Sequence, residues 1–296
     1  MFRPPLFLLP LAILTPIAAV EAQTAFGLQG SDRIVTFDAS TPGTILSNRA
    51  IVGLGAGEVL TGIDVRPATG RIYTLATSGN LYSLNSSGGT FVASLVGNIA
   101  TPVIGSNFGI DFNPVPDRLR FVNDGDQNLR INPNNAATLV DGSISPSSLN
   151  LIGSAYANNF AGATATSLFG IDSLTASLVR STNPNAGIYV NVGSLGLGPV
   201  GTDARVGFDI FTLTGVNSAY LALNDSFYTV DLNTGSATLV GGIGARNIRG
   251  LTFQLARGVP EPSVWALMIL GFGLVGTGLR RHTASGPRQH GEEHTA

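Results

Sequence analysis

The chain has 296 residues, 44% of them hydrophobic and only 11% charged, with 38 glycines and a formal net charge of −2. So weak a charge density cannot match a phosphate backbone, which excludes nucleic acid as a partner. Cysteine is absent, and the three histidines, His282, His290 and His294, all fall in the last fifteen residues. The body of the chain is therefore without thiolate chemistry, zinc–thiolate sites or an imidazole base.

Arg3, a mostly apolar run from Leu6 to Val20, and Val20-Glu21-Ala22 before Gln23 have the form of a secretory signal peptide. Pro10 and Pro16 interrupt the run, which is also short for a membrane span. Cleavage is expected after Ala22, giving a helical signal peptide over residues 1–22 as a substrate of signal peptidase. The chain is therefore expected to be exported.

Residues 23–258 read as one repeat-built all-β domain. Gly62-Ile63-Asp64-Val65, Gly109-Ile110-Asp111-Phe112, Gly170-Ile171-Asp172, Gly207-Phe208-Asp209-Ile210 and Gly250-Leu251-Thr252-Phe253 are versions of one phrase. Short runs rich in β-branched and aromatic residues follow it, such as Arg71–Leu75, Arg118–Val122 and Ala219–Leu223. Asn-Pro-Asn, Asn-Thr-Gly and Asn-Ser-Ser-Gly-Gly stretches separate them as turns. Four strands per repeat of about 40 residues is the pattern of a propeller blade. Residues 250–255 supply only a first strand, and residues 25–53 supply strands with none before them. Joined, they complete a blade and predict a β-propeller of five four-stranded blades. Residues 143–168 read as a polar surface loop inserted in the third repeat.

Phe112-Asn113-Pro114, then Asp117 to Val122, then Gln127-Asn128-Leu129-Arg130 resemble the domain of unknown function 4394. That family of exported bacterial β-repeat domains would cover nearly the whole middle. The resemblance implies fold and export, and no activity.

Four aspartates recur in the repeated phrase: Asp64, Asp111, Asp172 and Asp209. An acidic ring holding an axial calcium is one reading. Strand alternation favours another, in which each Asp leaves the Ile63/Val65 face, points between blades and caps backbone N–H groups. The structural reading takes precedence, so no cofactor is expected, with calcium as the alternative. Asp124, Asp126 and Asn128 alternate as in a calcium loop, but Leu129 and Asn135 stand where that loop wants glycine and glutamate. A hairpin loop fits better.

For an enzyme, the alternative is a carbohydrate-active one using paired carboxylates on surface polysaccharide. Glu58 is the single glutamate of the middle, and Asp117, Asp124 and Asp126 with Arg118 and Arg120 form its one acid cluster outside the repeats. Nothing fixes their separation, so no catalytic residue is assigned. The glycines of residues 53–57 lack the strand-to-helix setting of a phosphate loop.

At the C-terminus, Val259-Pro260-Glu261-Pro262 precede a 17-residue apolar segment, Ser263 to Leu279, and Arg280-Arg281 follow it. As a helix it would be about 26 Å long, enough to cross a bilayer core, with the arginines held in the cytoplasm. Pro260-Glu261-Pro262, the glycine-bearing stretch with Trp265, and Arg280 and Arg281 resemble the PEP-CTERM sorting signal. The resemblance implies a transmembrane helix within residues 259–281, recognition by an exosortase-type membrane protease, and a host that makes exopolysaccharide and grows in biofilms. The chain departs from the pattern in its polar tail, residues 282–296. The expected product is a non-catalytic binding or structural module, anchored transiently in the inner membrane and then placed at the cell surface or outside. Exopolysaccharide is its candidate partner.

Overall fold

A computed structural model describes residues 23–201 and 204–255 of the chain. The signal peptide, the Pro-Glu-Pro motif, the apolar stretch, Arg280-Arg281 and residues 282–296 lie outside the described residues.

The described domain is all-β and propeller-like. Four-stranded antiparallel meanders are built from consecutive strands, with one exception at the junction of the chain's two ends. The first meander takes its inner strand from the end of the domain: β20 (Ile248–Phe253), then β1 (Thr24–Gln29), β2 (Arg33–Asp38) and β3 (Ile45–Val52). The second is β4 (Asp64–Arg66), β5 (Arg71–Leu75), β6 (Asn80–Ser87) and β7 (Thr90–Asn98), and the third is β8 (Phe108–Asn113), β9 (Arg118–Asn123), β10 (Asn128–Ile131) and β11 (Thr138–Val140). The fourth is β12 (Leu151–Tyr156), β13 (Leu168–Asp172), β14 (Ser177–Asn183) and β15 (Ile188–Ser194), and the fifth is β16 (Val206–Leu213), β17 (Val216–Leu223), β18 (Ser226–Val230) and β19 (Ala237–Gly242). A short parallel bridge, Ile51 with Phe91 and Val52 with Val92, joins the outer strands β3 and β7.

The two ends meet as their incomplete repeats require. Ala25 pairs with Phe253, Phe26 with Thr252 and Gly27 with Leu251, antiparallel. This pairing gives β20 a partner and leaves the domain without a free terminal edge strand there.

One expectation fails. Residues 143–168 are not a surface loop, because they contain β12, whose six residues are all buried. Gly170-Ile171-Asp172 copies the inner-strand phrase but belongs to β13, the second strand of its sheet. The true inner strand reads Gly153-Ser154-Ala155, with serine where the others carry an apolar residue and alanine where they carry aspartate or threonine.

The core is divided into wedges between neighbouring sheets. Leu28, Ile34, Ile63, Ile72 and Phe91 fill one; Leu75, Leu81, Phe112, Leu119 and Phe121 fill the next. Val122, Tyr156, Leu168 and Tyr189 form the third, and Ile152, Ile171, Phe208, Ile210 and Leu221 the fourth. Between the last sheet and the first, Phe37 packs edge-on against Phe227 at 5.3 Å, and Tyr220 lies 4.9 Å from Phe253. Inner strands therefore bury both faces and read as continuous apolar runs, whereas β11 and β19 are largely exposed.

Arg120 crosses one of these wedges. Only 1% exposed, it donates to Tyr156 Oη at 3.2 Å, Asn128 Oδ1 at 2.6 Å, Asp141 Oδ2 at 2.7 Å and Asn185 Oδ1 at 3.0 Å. A guanidinium this deep is tolerable because four acceptors converge on it.

Five glycines set how closely the inner strands approach. A Cβ added to Gly109 would sit 2.6 Å from the Ser154 N, and one on Gly207 would sit 2.6 Å from the Leu251 N. On Gly153 it would lie 3.0 Å from the Phe208 Cβ, on Gly250 3.1 Å from the Ile63 N, and on Gly62 3.3 Å from Ile110. Each glycine faces the next inner strand around the ring. Gly109→Ala is therefore expected to cost about 1–3 kcal/mol and lower the melting temperature by roughly 2–10 °C. Gly198→Ala, where nothing lies within 4 Å, is the control and should leave it unchanged. Equal melting temperatures for the two variants would show that the glycines do not set the spacing.

Candidate metal centre and axial mouth

One residue beyond each glycine-led pair, the inner strands β4, β8, β12, β16 and β20 present Asp64, Asp111, Ala155, Asp209 and Thr252. The three aspartates converge, with one carboxylate oxygen from each lying within 4.8 Å of the others, and each residue is 1% exposed. Their backbone duties follow a rule. Three of the side chains accept from the N–H that follows the equivalent position on the next inner strand: Asp64 Oδ2 from Phe112 at 2.7 Å, Asp111 Oδ1 from Tyr156 at 3.0 Å, and Thr252 Oγ1 from Val65 at 3.1 Å. Thr252 in turn donates to Asp64 Oδ1 at 2.7 Å. Ala155 has no oxygen to offer, and the Ile210 N–H turns to its neighbour's own Asp209 Oδ1 at 2.6 Å.

This arrangement leaves two oxygens over. Asp111 Oδ2 and Asp209 Oδ2 are buried without a hydrogen-bond partner among the described residues. No guanidinium is among the groups that hydrogen-bond to the three aspartates. Burial pushes the Asp64 carboxyl well above the usual carboxylate range, and the charge of Asp209 adds to it. Asp111 rises for the same reason, with both other carboxylates contributing, and burial raises Asp209 to about 6.

Asp172 stands apart from this group. It closes the turn after β13, accepting from the N–H groups of Asn150 at 2.8 Å and Thr175 at 3.2 Å. The other acids singled out by sequence are also separated. Asp117 forms a two-pronged ion pair with Arg66 of the neighbouring sheet. Asp124 accepts from the N–H groups of Ser106 at 2.8 Å and Asn107 at 3.1 Å. Asn128 is buried, holding Arg120 and the carbonyl groups of Gly142 and Pro184. Asp126 sits in a left-handed turn, its N–H bonded to the Asn123 carbonyl. Asp124, Asp126 and Asn128 thus make a hairpin loop, and the acid cluster is distributed among structural tasks. Glu58 accepts from Ser78, Asn80 and Tyr82.

At the N-terminal ends of the inner strands the axis widens into a cavity of about 270 Å³. Thr61, Ser106, Asn107, Arg205 and Arg249 line it with Phe108 and Val206. Arg205 pairs with Asp225 at 3.3 Å, and the Nε atoms of both arginines are buried with no partner among the described residues. Between this mouth and the carboxylates the five glycines leave a space of only about 10 Å³, the size of one water molecule.

A carboxyl group with a raised pKa binds protons more tightly in the folded than in the unfolded chain. It favours the fold at low pH and loses that contribution as pH climbs past its unfolded value through its folded one. The described domain contains no histidine, so little else titrates in this interval. In buffer with a chelator, the melting temperature should fall as pH rises from about 5 to 7, and Asp209→Asn should flatten the fall. A melting temperature that climbs over this interval would contradict a protonated cluster.

Among solved structures, the domain is similar to a chain of a nidogen/laminin complex (12% identity, 79% of this chain and 99% of that one, TM-score 0.48). A Bacteroides thetaiotaomicron protein of unknown function gives 12% identity over 80% and 66% of the two chains, with a TM-score of 0.49. Myxococcus xanthus glutaminyl cyclase gives 11% identity over 68% and 92%, with a TM-score of 0.40. No curated protein matches the sequence. The profile of the domain of unknown function 4394 matches residues 33–252, and the chain belongs to that family.

Proposed function

We propose that the protein is an exported, non-catalytic binding module of the cell surface or matrix. In this reading it is a five-bladed propeller closed by its terminal strands, delivered by the signal peptide and sorted through residues 259–281 by an exosortase-type protease. The observation that carries the reading is the axial mouth. It is a preformed concave site with several inward polar groups, and Arg249 has no ion-pair partner among the described residues. A guanidinium in a half-enclosed pocket selects an anionic group, and the carboxylate of an acidic exopolysaccharide is the matching chemistry for a matrix protein.

The test uses protein recovered from the extracellular fraction of its host, whose peptides should begin at Gln23 and stop near Pro262. On a glycan array it should bind uronic-acid polymers in preference to neutral ones, and Arg249→Ala should weaken binding about tenfold or more. Equal binding to neutral glycans, or release of reducing sugars from the polymer, would overturn the binding reading. Extracellular protein that still carries residues 282–296 would overturn the sorting reading.

A further inference from the structure

The geometry points to a calcium-sized divalent cation bound on the axis by Asp64, Asp111 and Asp209. Three short carboxylates drawn from three different sheets reach one point, and each is nearly inaccessible to solvent. Proximity alone would not make a site. The independent sign is the pair of buried oxygens, Asp111 Oδ2 and Asp209 Oδ2, that have no donor while every other oxygen of the trio has one. Buried acceptors are nearly always satisfied, so these two neighbouring oxygens call for a shared positive partner, a proton held between Asp111 and Asp209 in the empty site and a cation in the filled one.

Size and hardness choose the partner. Carboxylate oxygens select hard cations, and the chain offers neither thiolate nor imidazole here. Ligands on opposite sides of an ion stand at most two bond lengths apart, about 4.6–5.2 Å for calcium and about 4.0–4.2 Å for magnesium. Oxygens within 4.8 Å of one another are compatible with a calcium shell, whose flexible geometry suits three carboxylates of fixed position better than the strict octahedron of magnesium. The remaining coordination positions fall to water, and the gap inside the five glycines, about 10 Å³, is too small for an organic ligand. Structurally, the ion would tie the second, third and fifth sheets together at the one place where all the inner strands converge. Sequence alternation had placed these aspartates between blades as backbone caps. Asp64 and Asp111 do cap the next strand, and the oxygens of Asp111 and Asp209 left without a donor are the ones assigned to the ion with Asp64.

Asp111→Asn tests the inference, because an amide keeps an acceptor for the Tyr156 N–H while removing a ligand charge. Wild-type protein stripped with a chelator should take up one calcium per chain by titration calorimetry and melt at a higher temperature with calcium than without. Asp111→Asn should bind at least about tenfold more weakly. The order of stability should also cross: the variant melts at or above wild type in chelator, and below it in calcium. Asp124→Asn, in the hairpin loop, should leave the stoichiometry at one. Should Asp111→Asn fail to fold, wild-type crystals grown with manganese decide, with an anomalous peak expected among the three carboxylates. No bound ion in the wild type, an ion retained by a folded Asp111→Asn, or an anomalous peak elsewhere would overturn the site.

Discussion

The close approach of the five inner strands is the constraint on which the rest of this structure depends. Sheets arranged around an axis must converge where their first strands meet, and any side chain pointing along that ring would hold them apart. Gly62, Gly109, Gly153, Gly207 and Gly250 remove it. At Gly109 and Gly207 even a methyl group would strike backbone rather than a movable side chain. Once the strands are this close, the inter-sheet wedges can close on Leu75, Phe121, Ile171, Phe208 and their neighbours. Those wedges hold the apolar burial that stabilises a domain without disulfides.

Close approach also creates a polar problem, and the aspartates answer it. An inner strand has a sheet partner on one side only, so its other edge carries N–H groups facing the next sheet with no β-ladder to satisfy them. A short side chain with an oxygen, placed one residue from the ring of glycine-led pairs, reaches across to accept such a hydrogen. Asp64, Asp111 and Thr252 do so in turn. Threonine performs this task with a neutral group, so capping alone does not require charge. Three carboxyl groups where a hydroxyl suffices crowd ionisable oxygens into a buried ring, and that burial is what raises their pKa values.

Much of this was legible in the sequence, because glycine and aspartate at this spacing answer backbone demands that few other residues can meet. The repeated phrase located β4, β8, β16 and β20, and the two incomplete ends implied the pairing of β20 with an N-terminal strand, which is β1. The fourth inner strand escaped because Ser154 and Ala155 replace both recognisable residues. Gly170-Ile171-Asp172 then supplied a decoy in the next strand, where the aspartate serves a turn. Convergence of the three carboxylates was also out of reach. Alternation describes one strand at a time, whereas the axis is formed by side chains leaving different strands. Proximity in sequence misled in the opposite sense for Asp117, Asp124 and Asp126, which lie in the turns at the two ends of β9 and face Arg66, the Ser106–Asn107 backbone and a tight turn.

If the axis is the joint that holds the sheets together, the amides capped across it should be among the last to open. Native-state hydrogen exchange on the purified protein measures this directly at the N–H groups of Val65, Phe112 and Tyr156. The account predicts that all three exchange only through global unfolding, with protection matching the stability of the whole domain. Exchange of these amides at rates typical of the exposed outer strands β11 and β19 would contradict it.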